Sequence, residues 1–305
     1  MAAITLIAGC AAPATQATRA PQPSPAAAPA GYACSSANIF SQPVGVPVRQ
    51  QVSLGDTTAV LTGTTASDGV EPSALRDGVL TITRDGRTTV TLPLTAPAGA
   101  PMVDLFILET QAGHASTDDE TAGSLCLGRF RDGAVPVALL GLTTGGAHCC
   151  VTVRAEPVGG GATVDHAFGN YSPWFRETSS GPVLVSADNA FAYKFASFAG
   201  SGPPAQLFAW SGTAFTDVTR QHLDLVAEDA QNYLALYNDP SQPEKLGSLA
   251  GWVADECIVG KSAAAWAFVD EQQQLGLPDA ADYPGAGGYS AALRDFLAAR
   301  GYCPP

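Results

Sequence analysis

The first two thirds of the chain contain short apolar runs and no helical period. Between residues 32 and 218, runs of β-branched and aromatic residues are separated by Asp-Gly and other glycine-rich turns. Such spacing is typical of antiparallel strands, and Asp-Gly between two runs is a hairpin signal. The dipeptides Asp77-Gly78, Asp85-Gly86 and Asp132-Gly133 therefore predict hairpin turns. Strands are predicted at residues 79–83, 87–92, 103–108, 135–142, 151–155, 183–186, 191–195 and 207–210.

The pattern changes to a helical period from Gln221 onward. Apolar residues then recur every three or four positions and fall on one face of each segment. This pattern predicts a helical subdomain of about four helices over residues 219–305, after a β-rich domain over residues 32–218. Strands followed by helices indicate an α+β fold. The residues that form these faces are Leu223, Val226, Ala230, Tyr233, Leu234, Tyr237, Trp266, Val269, Tyr289, Leu293, Phe296 and Leu297.

The N-terminus carries a short apolar run that ends in a cysteine. The run is too short to span a bilayer, which needs about 20 apolar residues, and we interpret residues 1–9 as an export signal. Its end, Leu6-Ile7-Ala8-Gly9-Cys10, resembles the lipobox of bacterial lipoproteins. That resemblance implies cleavage before Cys10 and acylation of its thiol. Several acyl chains together anchor a protein stably, so the expected location is the outer face of the cell membrane.

Residues 10–31 form an Ala- and Pro-rich segment in which Arg19 is the only charge. The segment has no apolar periodicity from which a core could form. We interpret it as a tether that holds the folded body away from the membrane.

Composition narrows the classes of partner. The chain has 305 residues, 46% of them hydrophobic and 14% charged, which is typical of a folded protein. Its formal net charge is −13. Such a chain has no basic surface with which to neutralise phosphates, so nucleic acid is excluded as a partner.

Six cysteines remain after the lipidation residue Cys10, and an even number in an exported chain predicts three disulfides. Cys257 lies on an apolar helix face and Cys303 follows the glycine that ends the last helix, so we pair these two. Cys149 and Cys150 are adjacent. Either they bond to each other and leave Cys34 with Cys126, or each takes one of those two as its partner. Strain in a vicinal disulfide favours the second alternative.

The segment around these adjacent cysteines resembles a known family. Residues 131–150 end in Thr144-Gly145-Gly146-Ala147-His148-Cys149-Cys150. This segment is similar to a motif of exported bacterial proteins of unknown function related to FG-GAP or VCBS repeats. Residues 215–220, 249–256 and 301–302 resemble the C-terminal part of actinobacterial members. The resemblance implies propeller-blade-like β-hairpins whose Asp-rich turns often hold Ca²⁺. Here Asp132 is the one remaining acid of the first turn, and Arg129 and Arg131 stand beside it. Two arginines next to one carboxylate oppose a divalent cation, so no bound cation or other cofactor is expected.

The candidate chemistry is concentrated in the cluster His148, Cys149 and Cys150, which could activate a thiol or bind Zn²⁺. An oxidising location favours disulfides there, so no metal is expected. The sequence contains no H-E-x-x-H or G-x-S-x-G motif. The aromatic group Tyr171, Trp174 and Phe175 is either a platform for stacking a glycan or part of the core, and the core is favoured.

These observations predict a non-catalytic envelope lipoprotein. Its body would bind a protein, peptide or glycan at the outer face of the membrane, or serve a structural role in the wall. The alternative is an extracytoplasmic enzyme, either a thiol–disulfide exchanger that uses Cys149 and Cys150 or a hydrolase whose carboxylates the sequence does not place.

Overall fold

The structure is a computed structural model. It describes residues 31–35, 42–67, 74–95, 103–105, 124–131, 134–146, 149–277, 283 and 287–303. The predicted signal, the lipidation residue Cys10, the tether as far as residue 30 and the Asp132-Gly133 turn lie outside the described residues.

Strands precede helices, as the sequence predicts for an α+β fold. The described strands are β1 Tyr32–Cys34, β2 Pro47–Leu54, β3 Thr57–Ala66, β4 Ala74–Arg84, β5 Arg87–Pro93, β6 Val103–Leu105, β7 Leu125–Gly128, β8 Val137–Gly146, β9 Cys149–Pro157, β10 Val164–Gly169, β11 Trp174–Thr178, β12 Gly181–Ala187, β13 Ala205–Trp210 and β14 Phe215–Asp217. The described helices are α1 Leu223–Asn238, α2 Leu246–Ile258, α3 Ser262–Gln274 and α4 Gly288–Ala299.

The first ten strands form one antiparallel sheet. Its main path runs β1-β7-β8-β6-β4-β3-β2, with β5 beside β4 and with β9 and β10 continuing from β8. The Asp85-Gly86 turn joins β4 to β5 as predicted. Both of its residues are left-handed, with φ of 50° and 73°, the conformation of a tight hairpin turn.

The Asp77-Gly78 dipeptide is not a hairpin turn, and that prediction is wrong. It lies inside β4, where Arg76 pairs with Thr64 and Val79 pairs with Thr62. Two residues of β4 therefore face a single residue of β3, which is a β-bulge. Asp77 takes a left-handed φ of 54°. The same residue preference serves a turn and a bulge, because both need a positive φ.

The second sheet is a four-stranded antiparallel meander in the order β11-β12-β13-β14. An aromatic cluster of buried residues joins it to the first sheet. Phe175, Leu184 and Trp210 of the meander pack against Leu139 and Val153 of β8 and β9. The other ten described strands belong to one continuous sheet.

A strand predicted at residues 191–195 is absent from the structure. A short 3-10 turn, Asn189–Phe191, stands there, capped by the Asp188 side chain, which accepts from the Ala190 N–H. Phe191 and Phe195 are both buried among the helices. The spacing of Phe191 and Phe195 therefore comes from the burial of both rings in a loop and not from the alternation of a strand.

Helix α2 is the centre of the helical part. Eleven of its thirteen residues are buried, and α1, α3 and α4 pack around it with one buried face each. Polar groups are scarce on such a helix, since burial without a partner costs free energy. None of the helices in the described ranges is both long and apolar enough to cross a bilayer.

Two disulfides connect the described residues. Cys257 is bonded to Cys303, the pair that the sequence analysis joins, with an S–S distance of 2.03 Å. Cys34 is bonded to Cys126. The alternative that the sequence favoured, with one of these two bonded to each adjacent cysteine, is therefore wrong. Cys34 and Cys126 stand directly opposite each other in the β1–β7 ladder, a proximity that the sequence does not reveal.

Cys150 is disulfide-bonded as well. The partner of Cys150 is none of the four cysteines already described, because these form the two separate bonds Cys34–Cys126 and Cys257–Cys303. His148 and the side chain of Cys149 lie outside the described residues, so the vicinal pairing remains a prediction.

Candidate ligand-binding cleft

A cavity lies between the four-stranded meander and helix α1. Its volume is about 760 Å³, within the range of sites that bind small molecules. Strands β11, β12 and β13 provide one wall and α1 provides the opposite wall. The lining residues are Asn170, Tyr171, Ser172, Trp174, Arg176, Val185, Ser186, Ala187, Phe198, Pro203, Ala205, Glu228, Asp229, Asn232 and Tyr233.

The aromatic group of the sequence analysis is divided between core and cleft. Phe175 is fully buried and its ring stacks on Tyr32 at 4.5 Å. Trp174 and Tyr171 line the cleft instead. Adjacent residues of a strand point to opposite faces, so Trp174 and Phe175 cannot both enter the core. The core interpretation therefore holds for Phe175, whereas Trp174 and Tyr171 line the cleft.

A second aromatic pair widens the apolar wall. Phe198 comes from the loop between β12 and β13, and its ring lies parallel to that of Tyr171 at 5.7 Å. The Tyr233 hydroxyl donates to the Pro203 carbonyl at 2.6 Å, which fixes this loop against α1. The cleft thus presents aromatic faces held by backbone contacts.

An ion pair bridges the two walls. The Arg176 guanidinium of β11 donates to both carboxylate oxygens of Glu228 on α1, at 3.3 and 2.8 Å. The same guanidinium lies 5.9 Å from the centre of the Trp174 ring. A partly exposed pair adds little stability, but its forked geometry fixes the spacing between sheet and helix.

Asp229 supplies a carboxyl group to the inner end of the cleft. It follows buried Val226 by three positions on α1, on the side that packs inward. One of its oxygens accepts from the Ala205 N–H of β13 at 2.9 Å. Burial raises the pKa of Asp229 to about 6, although hydrogen bonds from Asp255 and Ala205 oppose this rise.

Asp255 of α2 lies behind Asp229 and completes an acid pair. Its side chain has no solvent exposure. Among the described residues, the carboxyl group of Asp229 is the only hydrogen-bond partner available to the Asp255 carboxyl oxygens. Burial, and next the negative charge of Asp229, raise the pKa of Asp255 well above its usual value. Two touching carboxyl groups cannot both ionise without large repulsion. Asp255 therefore holds the proton and donates it to Asp229.

The acid pair predicts an unusual dependence of stability on pH. An acid whose pKa is higher in the folded state takes up a proton on folding, so stability falls as pH rises from about 4 through about 6 and beyond. We expect Asp255→Asn to remove much of this loss of stability. The amide group of Asn donates a hydrogen bond to Asp229 and does not itself ionise. The free energy of unfolding should rise by about 2 kcal/mol at pH 8 and change little at pH 4. Urea titrations at both pH values measure this difference.

The matched control is Asp295→Asn, which removes an exposed acid from the last helix. It should leave the pH slope as in the parent protein. A parent stability that does not fall between pH 4 and pH 8 would contradict the shared proton.

Sequence reasoning missed both members of the acid pair. A signal existed for Asp255, since it follows Trp252, Val253 and Ala254 in a helix that is apolar around its whole circumference. A carboxyl group in such a setting is either paired or neutral. No comparable signal marks Asp229, because its neighbour is distant in sequence.

The other candidate residues are not gathered at this cleft. Cys150 is the second residue of β9, and the described neighbours of that strand are β8 and β10. His166 of β10 packs against Phe168, Phe208 and Phe215, where burial lowers its pKa. Within the described ranges, no group of three or more His, Cys, Asp or Glu residues is arranged to hold a metal ion.

Comparison with known proteins finds one family model, which matches the helical part, and two relatives that match longer stretches of the chain. Residues 226–301, which include Asp229 and Asp255, match the family model "sll0997 C-terminal domain". Over 201 residues the chain is 29% identical to the "Probable thylakoid lumen protein sll0997" of Synechocystis sp. (strain ATCC 27184 / PCC 6803 / Kazusa), covering 56% of this chain and 58% of that protein.

A second relative is the "Uncharacterized protein y4bJ" of Sinorhizobium fredii (strain NBRC 101917 / NGR234). It is 28% identical over 227 residues, which cover 66% of this chain and 36% of that protein. The chain thus spans about half the length of the curated relatives it matches. No solved structure matches.

Proposed function

We propose that this chain is an extracytoplasmic binding module and that the cleft between the meander and α1 takes a glycan. The observation that carries the proposal is the arrangement of the cleft itself. Trp174 and Tyr171 on the sheet side face the polar groups of Glu228, Asp229 and Asn232 on the helix side. A sugar ring needs these two surfaces, an apolar face for its C–H groups and fixed polar groups for its hydroxyls.

The location outside the cytoplasm rests on two independent observations. Disulfides such as Cys34–Cys126 and Cys257–Cys303 persist in oxidising compartments. A relative bears the name of a probable thylakoid lumen protein, and the lumen is likewise outside the cytoplasm. Attachment to the membrane through an acylated Cys10 remains part of the proposal, and intact mass of the native protein tests it.

Binding is favoured over hydrolysis at the acid pair. Glycosidases place their two carboxyl groups roughly 5 to 9.5 Å apart, with the sugar between them. Asp229 and Asp255 are instead hydrogen-bonded to each other, and Asp255 lies behind the cleft rather than in its lining. Thiol–disulfide exchange through Cys149 and Cys150 stays an untested alternative, and it would act at a different place on the molecule.

The Trp174 ring is the decisive test of the glycan proposal. We expect Trp174→Ala to weaken glycan binding roughly 30-fold, since a stacked aromatic face contributes about 2 kcal/mol. Trp174→Phe should retain part of that affinity because it keeps an aromatic face. Calorimetric titration with cellohexaose, xylohexaose and chitohexaose measures the effect, and circular dichroism verifies that each variant is folded.

Trp266→Phe serves as the control, because this tryptophan lies on α3 and packs against the helical core. It should bind like the parent protein. Binding by the parent to no glycan, or equal affinity in the parent and the folded Trp174→Ala variant, would contradict the proposed function.

A further inference from the structure

We propose that the cleft selects glycans that carry free amino groups, and that the ligand's ammonium group displaces a proton from Asp229 of the acid pair. This inference rests on the proposed function and names the class of sugar. Three features of the molecule support it: the charge of the cleft lining, the surroundings of the acid pair and the face of the Trp174 ring.

The lining of the cleft has an excess of negative charge. Among the described lining residues, Arg176 is the only one with a basic side chain, and both carboxylate oxygens of Glu228 already accept from its guanidinium. Asp229 then stands without a basic partner in the lining. The whole chain carries −13, so the surrounding potential also attracts cations and repels anions. Acidic glycans are therefore disfavoured, and cationic ones are favoured.

Within the part of the chain that the structure describes, the groups that face the acid pair are acidic or neutral. Asp229 meets the Ala205 N–H from β13 and lies near Glu228 on its own helix. Asp255 lies near Glu256 on its own helix. Tyrosine hydroxyls complete the surroundings, from Tyr233 on α1 and from Tyr302 after α4. With no cation facing it, the pair retains a proton to reduce its own repulsion.

An ammonium group can displace a proton from Asp229. A ligand that arrives as R–NH₃⁺ and approaches Asp229 lowers the cost of ionising that carboxyl group. A proton then leaves Asp229 for solvent, while Asp255 keeps its own. Charge is conserved, because one cation enters as one proton departs. A neutral N-acetylated sugar offers no such exchange and leaves the proton in place.

The Trp174 ring supports the same class of ligand. The Arg176 guanidinium lies 5.9 Å from the centre of this ring, a distance at which an indole attracts positive charge. Aromatic faces attract cations through their quadrupole. An amino sugar stacked on Trp174 would thus meet favourable potential from the ring and from the carboxylate.

Two probes of one backbone test this inference. Chitosan hexaose carries free amines, and chitohexaose is its N-acetylated counterpart. At pH 5.5 the amines are protonated, and Asp229, with a pKa of about 6, is mostly protonated as well. We expect at least tenfold tighter binding of chitosan hexaose and the release of most of one proton, measured by calorimetry in two buffers of different ionisation enthalpy. Chitohexaose should release none.

Two variants assign the effect to the acid pair. Asp229→Asn keeps an acceptor for the Ala205 N–H and should abolish both the tenfold preference and the proton release. Glu228→Gln leaves Arg176 unpaired in the cleft and should weaken chitosan hexaose more than chitohexaose. Equal affinities for the two probes, both weakened by Trp174→Ala, would overturn this inference and leave the proposed function standing. Failure of every glycan to bind would overturn both.

Discussion

Replacement of Gly247 by alanine is expected to lower the free energy of unfolding by about 3 kcal/mol. An added Cβ would overlap the carbonyl oxygen of Gly200, and the next nearest atoms, the carbonyl carbon of Gly200 and the Cα of Ser201, are also backbone. Glycine to alanine inside a helix normally stabilises by about 1 kcal/mol. Here the sign is reversed, because overpacking against backbone forces the helix and the loop apart. Urea denaturation of the two proteins measures the difference.

The affected loop also bears on the cleft. Residues 198–203 connect β12 to β13, carry Phe198 and Pro203 into the lining, and lie against α2 through Gly200 and Gly202. We therefore expect any folded Gly247→Ala protein to lose ligand affinity too. Gly159→Ala is the control, since no atom lies within 4 Å of its added Cβ. A Gly247→Ala protein as stable as the parent would show that α2 and the loop are not in close contact.

Removal of the Cys257–Cys303 disulfide is expected to cost about 4 kcal/mol. The bond closes a loop of 46 residues, and the chain-entropy model gives about that loss for a loop of this length. Both cysteines are nearly buried within the helical core, so replacement by alanine creates only small cavities. The double variant Cys257→Ala with Cys303→Ala should therefore unfold at a lower urea concentration, and the helical signal reports it directly.

The single variant Cys303→Ser provides a comparison, since it breaks the bond with one substitution. It should be destabilised to a similar degree, and a reducing agent should have little further effect on this part of the protein. An unchanged midpoint in the double variant would mean that packing alone holds the end of α4 against α2.

The sequence anticipated one side of the cleft better than the other. The sequence shows that Tyr171, Trp174 and Phe175 form an aromatic group. It allows two interpretations of that group, because the alternation of side chains along a strand does not tell which face is buried. The helix side was not visible. Arg176 and Glu228 are 52 residues apart in the chain, so only the packing of α1 on the meander brings them together.

The sequence by itself determined the features that depend on local pattern. These include the order of strands before helices, the change of period near Gln221, the Asp85-Gly86 turn and the buried faces of the helices. Each depends on interactions among residues close in sequence, or on whether a position is buried at all, and hydrophobic periodicity records both.

Only the tertiary structure decided which surfaces meet. It converted Asp77-Gly78 from a turn into a bulge, replaced a predicted strand by the turn at Asn189–Phe191, and paired Cys34 with Cys126. It also joined Asp229 to Asp255 beneath an aromatic cleft. Periodicity shows that a side chain is buried but carries no information about its partner, and the chemistry of this protein depends on partners that are distant in sequence.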